Sequence, residues 1–249
     1  MNNWRTSGRI AAFFDLDGTL IAKPSLERRF FANLRQRQAI PMRNYLLWLA
    51  RAVWLAPRGI EMVRHANKMY LRGVCGCNGG QPEMALPRFF PGGVDQVAWH
   101  ARQGHAIVLV SGTLAPLAQE MALALTVRLA VRGIAASVGV CATRLEENDG
   151  RWTGRIVGDA MFGEAKGRAV RQLAKAEGFA LQRCYAYGDS DADLAMLEAV
   201  GRPCVVNPPE EMRRLARRRD WAVLAWAEQR REAESTRNAQ TRDEALETK

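Results

Sequence analysis

Four short apolar segments separated by helical patterns constrain the fold of this chain most strongly. The segments RIAAFF, HAIVLV, RCYAY and PCVV occupy residues 9–14, 105–110, 183–187 and 203–206. They lack the alternation of a half-exposed strand and are typical of strands buried on both faces of a parallel sheet. Helical patterns cover residues 95–103, 116–128, 166–178 and 192–200. We therefore predict an α/β fold with a Rossmann-like parallel sheet as its core.

The first two predicted strands are separated by residues 15–104, a segment too long for a single crossover helix. Within it, residues 23–88 show helical stretches with breaks near Pro41, at 57–59 and at 73–82, so we predict an inserted α-helical cap. Residues 137–157 are expected to add a β-hairpin that turns at Asp149-Gly150. We expect core structure at 1–22, the cap at 23–88, the continued core at 89–227 and a charged, disordered tail at 228–249.

The basic charge of the chain is concentrated in the predicted cap. Residues 23–88 contain twelve Lys or Arg against three Glu, a net charge of +9, while the whole chain carries +10. A field of this sign attracts anions such as phosphorylated metabolites, anionic lipid or nucleic acid. The basic residues are not interleaved with aromatic residues on a sheet face, so nucleic acid is not expected as a partner.

One segment of the cap, YLLWLARAVWLA at residues 45–56, is apolar almost all round, with Arg51 as its one charged residue. We interpret it first as the core of the cap bundle or as the contact of the cap with the sheet. Two other interpretations stay open, namely a homodimer interface and a helix that lies on a membrane surface. No segment reaches the length of a membrane span, and the first residues lack the apolar core of a signal peptide, so we expect a soluble, cytoplasmic protein.

Chemically reactive residues follow the predicted strands at the point where parallel strands end at one edge of a sheet. They are Asp15, Asp17, Ser111, Gly112, Asp189 and Asp193, and Lys166 joins them from the start of a helix. Carboxylates crowded together repel one another or raise one another's pKa unless a cation is bound. A carboxylate-rich, all-oxygen site suits Mg²⁺. Such a site supports phosphoryl transfer, with one carboxylate as the nucleophile and a second as the acid and base.

Four segments carry a resemblance to a known family. FFDLDGTL, VLVSGT, the Lys of GEAKGRAV and YGDSDADLAML occur in this order, and together they resemble the four motifs of the haloacid dehalogenase (HAD) superfamily of phosphohydrolases. The helical insert directly after the first motif resembles subfamily IB, the phosphoserine-phosphatase-like branch. The resemblance covers residues 9–227 and implies an Mg²⁺-dependent phosphomonoesterase with a sheet core and a mobile cap.

The resemblance also implies a role for each motif residue. Asp15 is expected to be the nucleophile and Asp17 the general acid and base. The implied phosphate-binding residues are Ser111, Gly112 and Lys166, and the implied Mg²⁺ ligands are Asp15, Asp17 through its backbone carbonyl, Asp189 and Asp193. The three histidines, His65, His100 and His105, match no motif, and we interpret them as structural.

The substrate is not implied by the resemblance. Phosphoserine phosphatases usually carry, nine residues after the nucleophile, a Glu that binds the amino group of the substrate. This chain has Pro24 at that position and Glu27 three residues further on, which argues against L-phosphoserine. We expect a small phosphorylated metabolite as the substrate. The alternatives left open are a lipid-phosphate phosphatase, a phosphotransferase, and a non-catalytic binding module that docks an acidic partner on the basic cap.

Overall fold

A seven-stranded sheet forms the centre of the protein. In the computed structural model, which describes residues 8–75 and 84–226, the strands are β1 (Ala11–Phe14), β2 (Ala106–Leu114), β3 (Val138–Asn148), β4 (Arg151–Val157), β5 (Tyr185–Gly188), β6 (Arg202–Val206) and β7 (Ala222–Leu224). They are ordered β4-β3-β2-β1-β5-β6-β7. All neighbouring strands are parallel except the hairpin of β3 and β4. The predicted α/β fold with a parallel sheet core is confirmed.

Eight α-helices occur among the described residues. They are α1 (Leu26–Gln36), α2 (Met42–Leu55), α3 (Ile60–Ala66), α4 (Pro91–Arg102), α5 (Ala115–Val131), α6 (Glu164–Glu177), α7 (Leu194–Leu197) and α8 (Glu210–Arg218). The first three lie between β1 and α4 and form the inserted helical cap. The predicted tail at 228–249 lies outside the described residues.

The two faces of the sheet bury two separate hydrophobic clusters, and β1 contributes alternate residues to each. Phe14 packs with α4 and α5 on one face, whereas Phe13 packs with α6, α7 and α8 on the other. Both side chains are fully buried, and each such burial stabilises the fold by about 1.5–3 kcal/mol. The Phe14 ring also stacks on Tyr187 of β5, with ring centroids 4.4 Å apart. These contacts fix the strand that carries the first motif.

The register of the sheet brings the ends of three strands to one edge. Phe14 is paired with Leu109 of β2 on one side and with Tyr187 of β5 on the other. The residues that follow these three positions therefore lie side by side. Because all three strands are parallel, their carboxyl ends meet here, as is usual for the ligand site of an open α/β sheet.

Some boundaries differ from those predicted from the sequence. β2 continues through a bulge to Leu114, so Ser111 and Gly112 belong to the strand rather than to a loop after it. Helix α8 and strand β7 are not predicted from the sequence. The reason lies in the composition of α8, where only Met212 and Ala216 are buried and the apolar pattern is correspondingly weak.

The cap helices break where the sequence predicts. Pro41 directly precedes α2, and Gly59, with a φ of 100°, separates α2 and its short 3₁₀ extension from α3. Asn44 anchors α2, because its Nδ2 donates hydrogen bonds to the carbonyl oxygens of Tyr70 and Arg72 at 3.0 and 2.7 Å.

The interpretation of residues 45–56 as the core of the cap bundle is wrong. Only Asn44 and Leu55 of α2 are buried, while most of its apolar side chains face solvent in the described part of the chain. The physical reason is that α3 and the turn at Met69–Leu71 are short, so that they bury few side chains of α2. None of the described helices is both long and apolar enough to cross a bilayer, and the expected cytoplasmic location stays a prediction.

Candidate active site

Asp15 lies at the carboxyl end of β1, in the middle of the sheet. Its backbone N–H donates to the carbonyl oxygen of Tyr187 at 2.9 Å, which continues the hydrogen-bond ladder between β1 and β5. The residue is 4% exposed. A carboxylate buried to this extent is costly unless a cation or hydrogen-bond donors compensate its charge.

Lys166 compensates that charge from the first turn of α6. Its Nζ lies 2.6 Å from Oδ1 of Asp15 and 2.6 Å from Oδ1 of Asp193, and the residue is itself buried. Burial alone would lower the pKa of Lys166, but the two carboxylates outweigh it and raise the pKa above its usual value. The ammonium group is therefore a fixed positive charge beside Asp15.

The loop after β5 holds Asp189 and Asp193 next to each other. Oδ2 of Asp193 accepts hydrogen bonds from the backbone N–H groups of Asp189 and Ser190 at 3.1 and 3.2 Å, and from Oγ of Ser190 at 3.2 Å. These three donors orient the side chain of Asp193, so that its other oxygen meets Lys166.

Asp189 lies directly against the loop that follows β1. A Cβ atom on Gly18 would be 2.3 Å from Oδ2 of Asp189, and the φ of Gly18 is 102°, so the position requires glycine for both reasons. Nζ of Lys23 lies 2.7 Å from the same carboxylate oxygen. The Gly of the first motif therefore allows the loop after β5 to approach Asp15.

The electrostatics of these carboxylates favour a bound cation. Asp15, Asp189 and Asp193 each offer an oxygen, and these oxygens lie within 4.8 Å of one another. Burial raises the pKa of Asp15 well above its usual range; Lys166 opposes this, and the charges of Asp193, Asp189 and Asp17 add to it. Burial and the charge of Asp193 likewise raise the pKa of Asp189. Three buried carboxylates are a donor set that fits Mg²⁺.

Asp17 has a different environment from Asp15. Its Oδ1 accepts a hydrogen bond of 2.7 Å from the backbone N–H of Leu26, at the start of α1, so the carboxylate joins the core to the cap. Burial raises the pKa of Asp17 to about 6, although the Leu26 hydrogen bond and the charge of Lys166 oppose the shift. A carboxyl group that titrates in this range is suited to both acid and base roles near neutral pH.

Ser111 and Gly112 lie on β2, next to the loop after β1. Ser111 is fully buried, and its Oγ accepts a hydrogen bond of 3.2 Å from the backbone N–H of Thr113. The carbonyl oxygen of Gly112 accepts from Oγ1 of Thr143 at 2.9 Å. Since Phe14 is paired with Leu109, Asp15 lies beside Val110, and Ser111 is the next residue along β2. Their phosphate-binding roles remain predictions.

The structure brings His65 of the cap to this edge, where no motif predicts it. The imidazole stacks on Phe162 of the core with ring centroids 4.6 Å apart, and a Cβ on Gly112 would lie 3.8 Å from Nδ1 of His65. Nε2 is 3.2 Å from a carboxylate oxygen of Glu61. His65 therefore lies at a contact between the cap and the predicted phosphate-binding strand. His100 and His105 instead bond to each other at 2.8 Å within the core.

A second group that the motifs do not predict lies inside the cap. Both carboxylate oxygens of Glu27 accept from Nζ of Lys68, at 2.5 and 2.6 Å, and one also accepts from the hydroxyl of Tyr70 at 2.6 Å. Lys68 is 2% exposed. Desolvation and the charge of Glu27 raise the pKa of Tyr70 well above its usual value, so the phenol remains a donor. Both carboxylate oxygens of Glu27 thus already accept hydrogen bonds from its own chain.

Comparison with known proteins agrees with this geometry. The sequence matches the haloacid dehalogenase-like hydrolase family over residues 12–198. It is 34% identical to a probable phosphatase of Mycobacterium tuberculosis, covering 88% of this chain and 76% of that protein, and 31% identical to phosphoserine phosphatase SerB1 of the same species, covering 86% and 70%. A protein of unknown function from Bordetella pertussis has a similar structure, with a TM-score of 0.64, 27% identity and coverage of 88% and 100%.

The fold, the carboxylate site and these matches define the class of this protein as an α/β phosphatase. The chain belongs to the haloacid dehalogenase-like hydrolase family and is phosphoserine-phosphatase-like within it. The family resemblance predicted from the four motifs is confirmed. Membership of a hydrolase family also favours the catalytic interpretation over a non-catalytic binding module.

Proposed function

We propose that this phosphatase is an Mg²⁺-dependent phosphomonoester hydrolase that works through a phosphorylated Asp15. The observation that supports the proposal most directly is the buried arrangement of Asp15, Lys166 and Asp193 at the end of β1, with one ammonium 2.6 Å from both carboxylates. This fixed charge opposes the rise in the pKa of Asp15 that burial causes, and it orients the carboxylate for attack, as a carboxylate nucleophile requires.

In the first step an Asp15 oxygen attacks phosphorus, and the bond between phosphorus and the leaving oxygen breaks. Asp17 donates its proton to that oxygen, so the alcohol leaves neutral and Asp17 becomes a carboxylate. The pKa of Asp17 of about 6 means that part of the free enzyme carries this proton near neutral pH. Lys166, Ser111 and Gly112 hold the nonbridging oxygens of the phosphoryl group.

In the second step the Asp17 carboxylate takes a proton from water, and the resulting hydroxide attacks the same phosphorus. The acyl-phosphate bond to Asp15 breaks, inorganic phosphate leaves, and both carboxyl groups return to their starting states. Asp15, Asp189, Asp193 and the backbone carbonyl of Asp17 are the residues that would hold Mg²⁺. When bound, the ion would supply positive charge that stabilises the negative charge of the phosphoryl group.

The substrate we propose is a small phosphomonoester other than L-phosphoserine. A site for the amino group of phosphoserine needs a carboxylate that is free to accept from it. Pro24 cannot supply one, and Glu27 already accepts three hydrogen bonds from Lys68 and Tyr70. Turnover of L-phosphoserine faster than that of an aryl phosphate or a sugar phosphate would contradict this part of the proposal.

A direct test measures hydrolysis of p-nitrophenyl phosphate with Mg²⁺ and with excess chelator. Wild-type protein should be active only with the metal, and Asp15→Asn should lose activity by at least about 10³-fold. The matched control is Asp191→Asn, since Asp191 is an exposed acid in the same loop as the predicted ligands. Activity without a divalent metal, or an active Asp15→Asn variant, would overturn the mechanism.

The same assay tests the alternative of a phosphotransferase. The phosphorylated Asp15 could be attacked by an added alcohol instead of water, and the two acceptors give different products. With glycerol or ethanol present, a hydrolase releases inorganic phosphate in the same amount as p-nitrophenol. A deficit of inorganic phosphate, matched by a new phosphate ester, would identify transfer as the main reaction.

A further inference from the structure

Helix α2 presents a continuous apolar stripe to solvent. Met42, Leu46, Leu49 and Val53 recur at intervals of four, three and four residues, which places them on one face of the helix. Their exposed fractions are 79%, 71%, 55% and 69%, so in the described part of the chain nothing covers them. We call these four residues the α2 stripe. Exposed apolar surface of this continuity on a monomer usually marks a contact site.

Arginine and tryptophan lie at the carboxyl end of α2, with Trp54 roughly 110° around the helix from the centre of the stripe and Arg51 on the face opposite it. The Trp54 ring is 52% exposed, and the guanidinium groups of Arg51 and Arg58 lie over it, 4.1 and 4.2 Å from the ring centroid. A ring with an apolar body and adjacent cations suits the boundary between hydrocarbon and charged headgroups. Ile60, 71% exposed, extends the apolar surface beyond this group.

The charge around the stripe distinguishes between possible occupants. Residues 35–64 contain six Arg and a single Glu. A second copy of the chain would place two surfaces of the same sign against each other, and like charges in apposition oppose association. A bilayer with anionic headgroups offers the opposite charge and an apolar interior for the stripe.

We propose that the α2 stripe docks the cap on anionic phospholipid bilayers, with the arginines of the same segment supplying the electrostatic attraction. The helix would lie in the plane of the interface, with Met42, Leu46, Leu49 and Val53 below the headgroups and the arginines on its polar side, within reach of the negative surface potential. This is peripheral binding that needs no membrane span. It is independent of the reaction proposed above, because neither α2 nor its arginines belong to the carboxylate site.

A cleft of about 1040 Å³ lies between the cap and the core, on the side of α2 away from the stripe. Its lining on the cap side includes Arg51, Trp54 and Arg58. On the core side it includes Phe162 and Ala165, the residue directly before Lys166. Docking through the α2 stripe would therefore place α2 between this cleft and the bilayer and leave the cleft open to solvent.

Vesicle sedimentation tests the proposal with the full chain. Wild-type protein should pellet with vesicles of phosphatidylcholine and about 30 mol % phosphatidylglycerol at about 50 mM NaCl, and should stay in the supernatant with phosphatidylcholine alone. Leu46→Glu/Val53→Glu should reduce the bound fraction at least about fivefold. Arg51→Gln/Arg58→Gln, which keeps the stripe intact, should also reduce it and should weaken its dependence on salt. The control is Val131→Glu, because Val131 is 84% exposed on α5 in the core.

Circular dichroism and thermal melting of each variant check that it retains the fold. The proposal is overturned if wild-type protein does not pellet with the anionic vesicles, or if it pellets equally with both compositions. It is also overturned if Leu46→Glu/Val53→Glu binds as wild type does. A dimer in sedimentation velocity that this variant abolishes, without vesicle binding by either protein, would show instead that a second copy covers the stripe.

Discussion

Asp15 and Asp17 are separated by one residue, yet their surroundings give them different properties. Asp15 is held between buried Lys166 and the carboxylates of Asp189 and Asp193. Asp17 accepts a hydrogen bond from the backbone N–H of Leu26 and has a pKa of about 6. Two carboxyl groups in distinct environments are what a nucleophile and an acid-base catalyst require. Each can therefore be tested by changing one residue.

The first prediction concerns Lys166→Gln. Losing the ammonium should reduce kcat/KM by about 10²–10³-fold, and it should lower the free energy of unfolding at about pH 7.5 by about 3 kcal/mol because two buried carboxylates lose their counter-charge. The loss should be smaller at about pH 4.5, where the carboxylates can bind protons. Thermal unfolding of metal-free protein at both pH values measures the difference.

The control for that prediction is Lys175→Gln, since Lys175 is an exposed lysine on the same helix, α6. It should change neither kcat/KM nor stability measurably. Equal destabilisation of Lys166→Gln at both pH values would contradict the assignment of its ammonium as the counter-charge of Asp15 and Asp193.

The second prediction is that Asp17→Asn inactivates the enzyme and yet stabilises it. A carboxyl group whose folded pKa is about 6, above the unfolded value, destabilises the fold as pH rises through that range. The amide of Asn removes this cost and still accepts from Leu26. Metal-free Asp17→Asn should therefore unfold with about 1–2 kcal/mol more stability than wild type at about pH 7.5, and with a smaller gain at about pH 4.5. A gain in stability that is larger at the lower pH would contradict the upward shift of the pKa of Asp17.

At the scale of elements, α2 depends on one buried polar residue. Asn44 donates to the carbonyl oxygens of Tyr70 and Arg72, and these bonds hold α2 against the turn that follows Lys68. Asn44→Ala would leave buried carbonyl oxygens without a donor, which we expect to cost about 2 kcal/mol. Urea unfolding gives this value, and limited proteolysis should show earlier cleavage within the cap.

Asn148→Ala is the matched control, because Asn148 is exposed at the end of β3. Its unfolding and proteolysis should equal those of wild type. An Asn44→Ala variant as stable and as resistant as this control would show that the two hydrogen bonds do not anchor α2.

The sequence predicts the elements that carry the motifs better than it predicts the cap. RIAAFF and RCYAY form buried strands, and apolar runs this short that alternate with helical patterns favour strands over buried helices. The exposure of Leu46 and Val53 cannot be predicted from the sequence, because a helix that is apolar almost all round is usually buried. The stacking of His65 on Phe162 and the pairing of Glu27 with Lys68 depend on tertiary contacts between distant segments, and no local pattern encodes them.

At the scale of the whole molecule, the cap and the core meet near the site through His65 and Phe162. We expect His65→Ala to raise KM by about three- to tenfold with a small change in kcat, because the stack holds the cap over Gly112. The double variant His65→Ala/Phe162→Ala should raise KM no more than either single variant does, because each single change already removes the same stacking contact. Fully additive effects on KM would contradict a shared contact. His105→Ala serves as the control, as His105 lies on the core side away from the cap.

The central claim, a phosphorylated Asp15, is tested most directly by trapping the enzyme during turnover. Acid quenching with Mg²⁺ and p-nitrophenyl phosphate, followed by mass spectrometry of proteolytic peptides, should find one phosphoryl group on Asp15 in wild-type protein. The phosphorylated enzyme should accumulate in Asp17→Asn, which lacks the base that activates water in the second step. Asp15→Asn should carry no phosphoryl group. Phosphorylation of another residue, or rapid turnover without a phosphoenzyme in either protein, would contradict the mechanism.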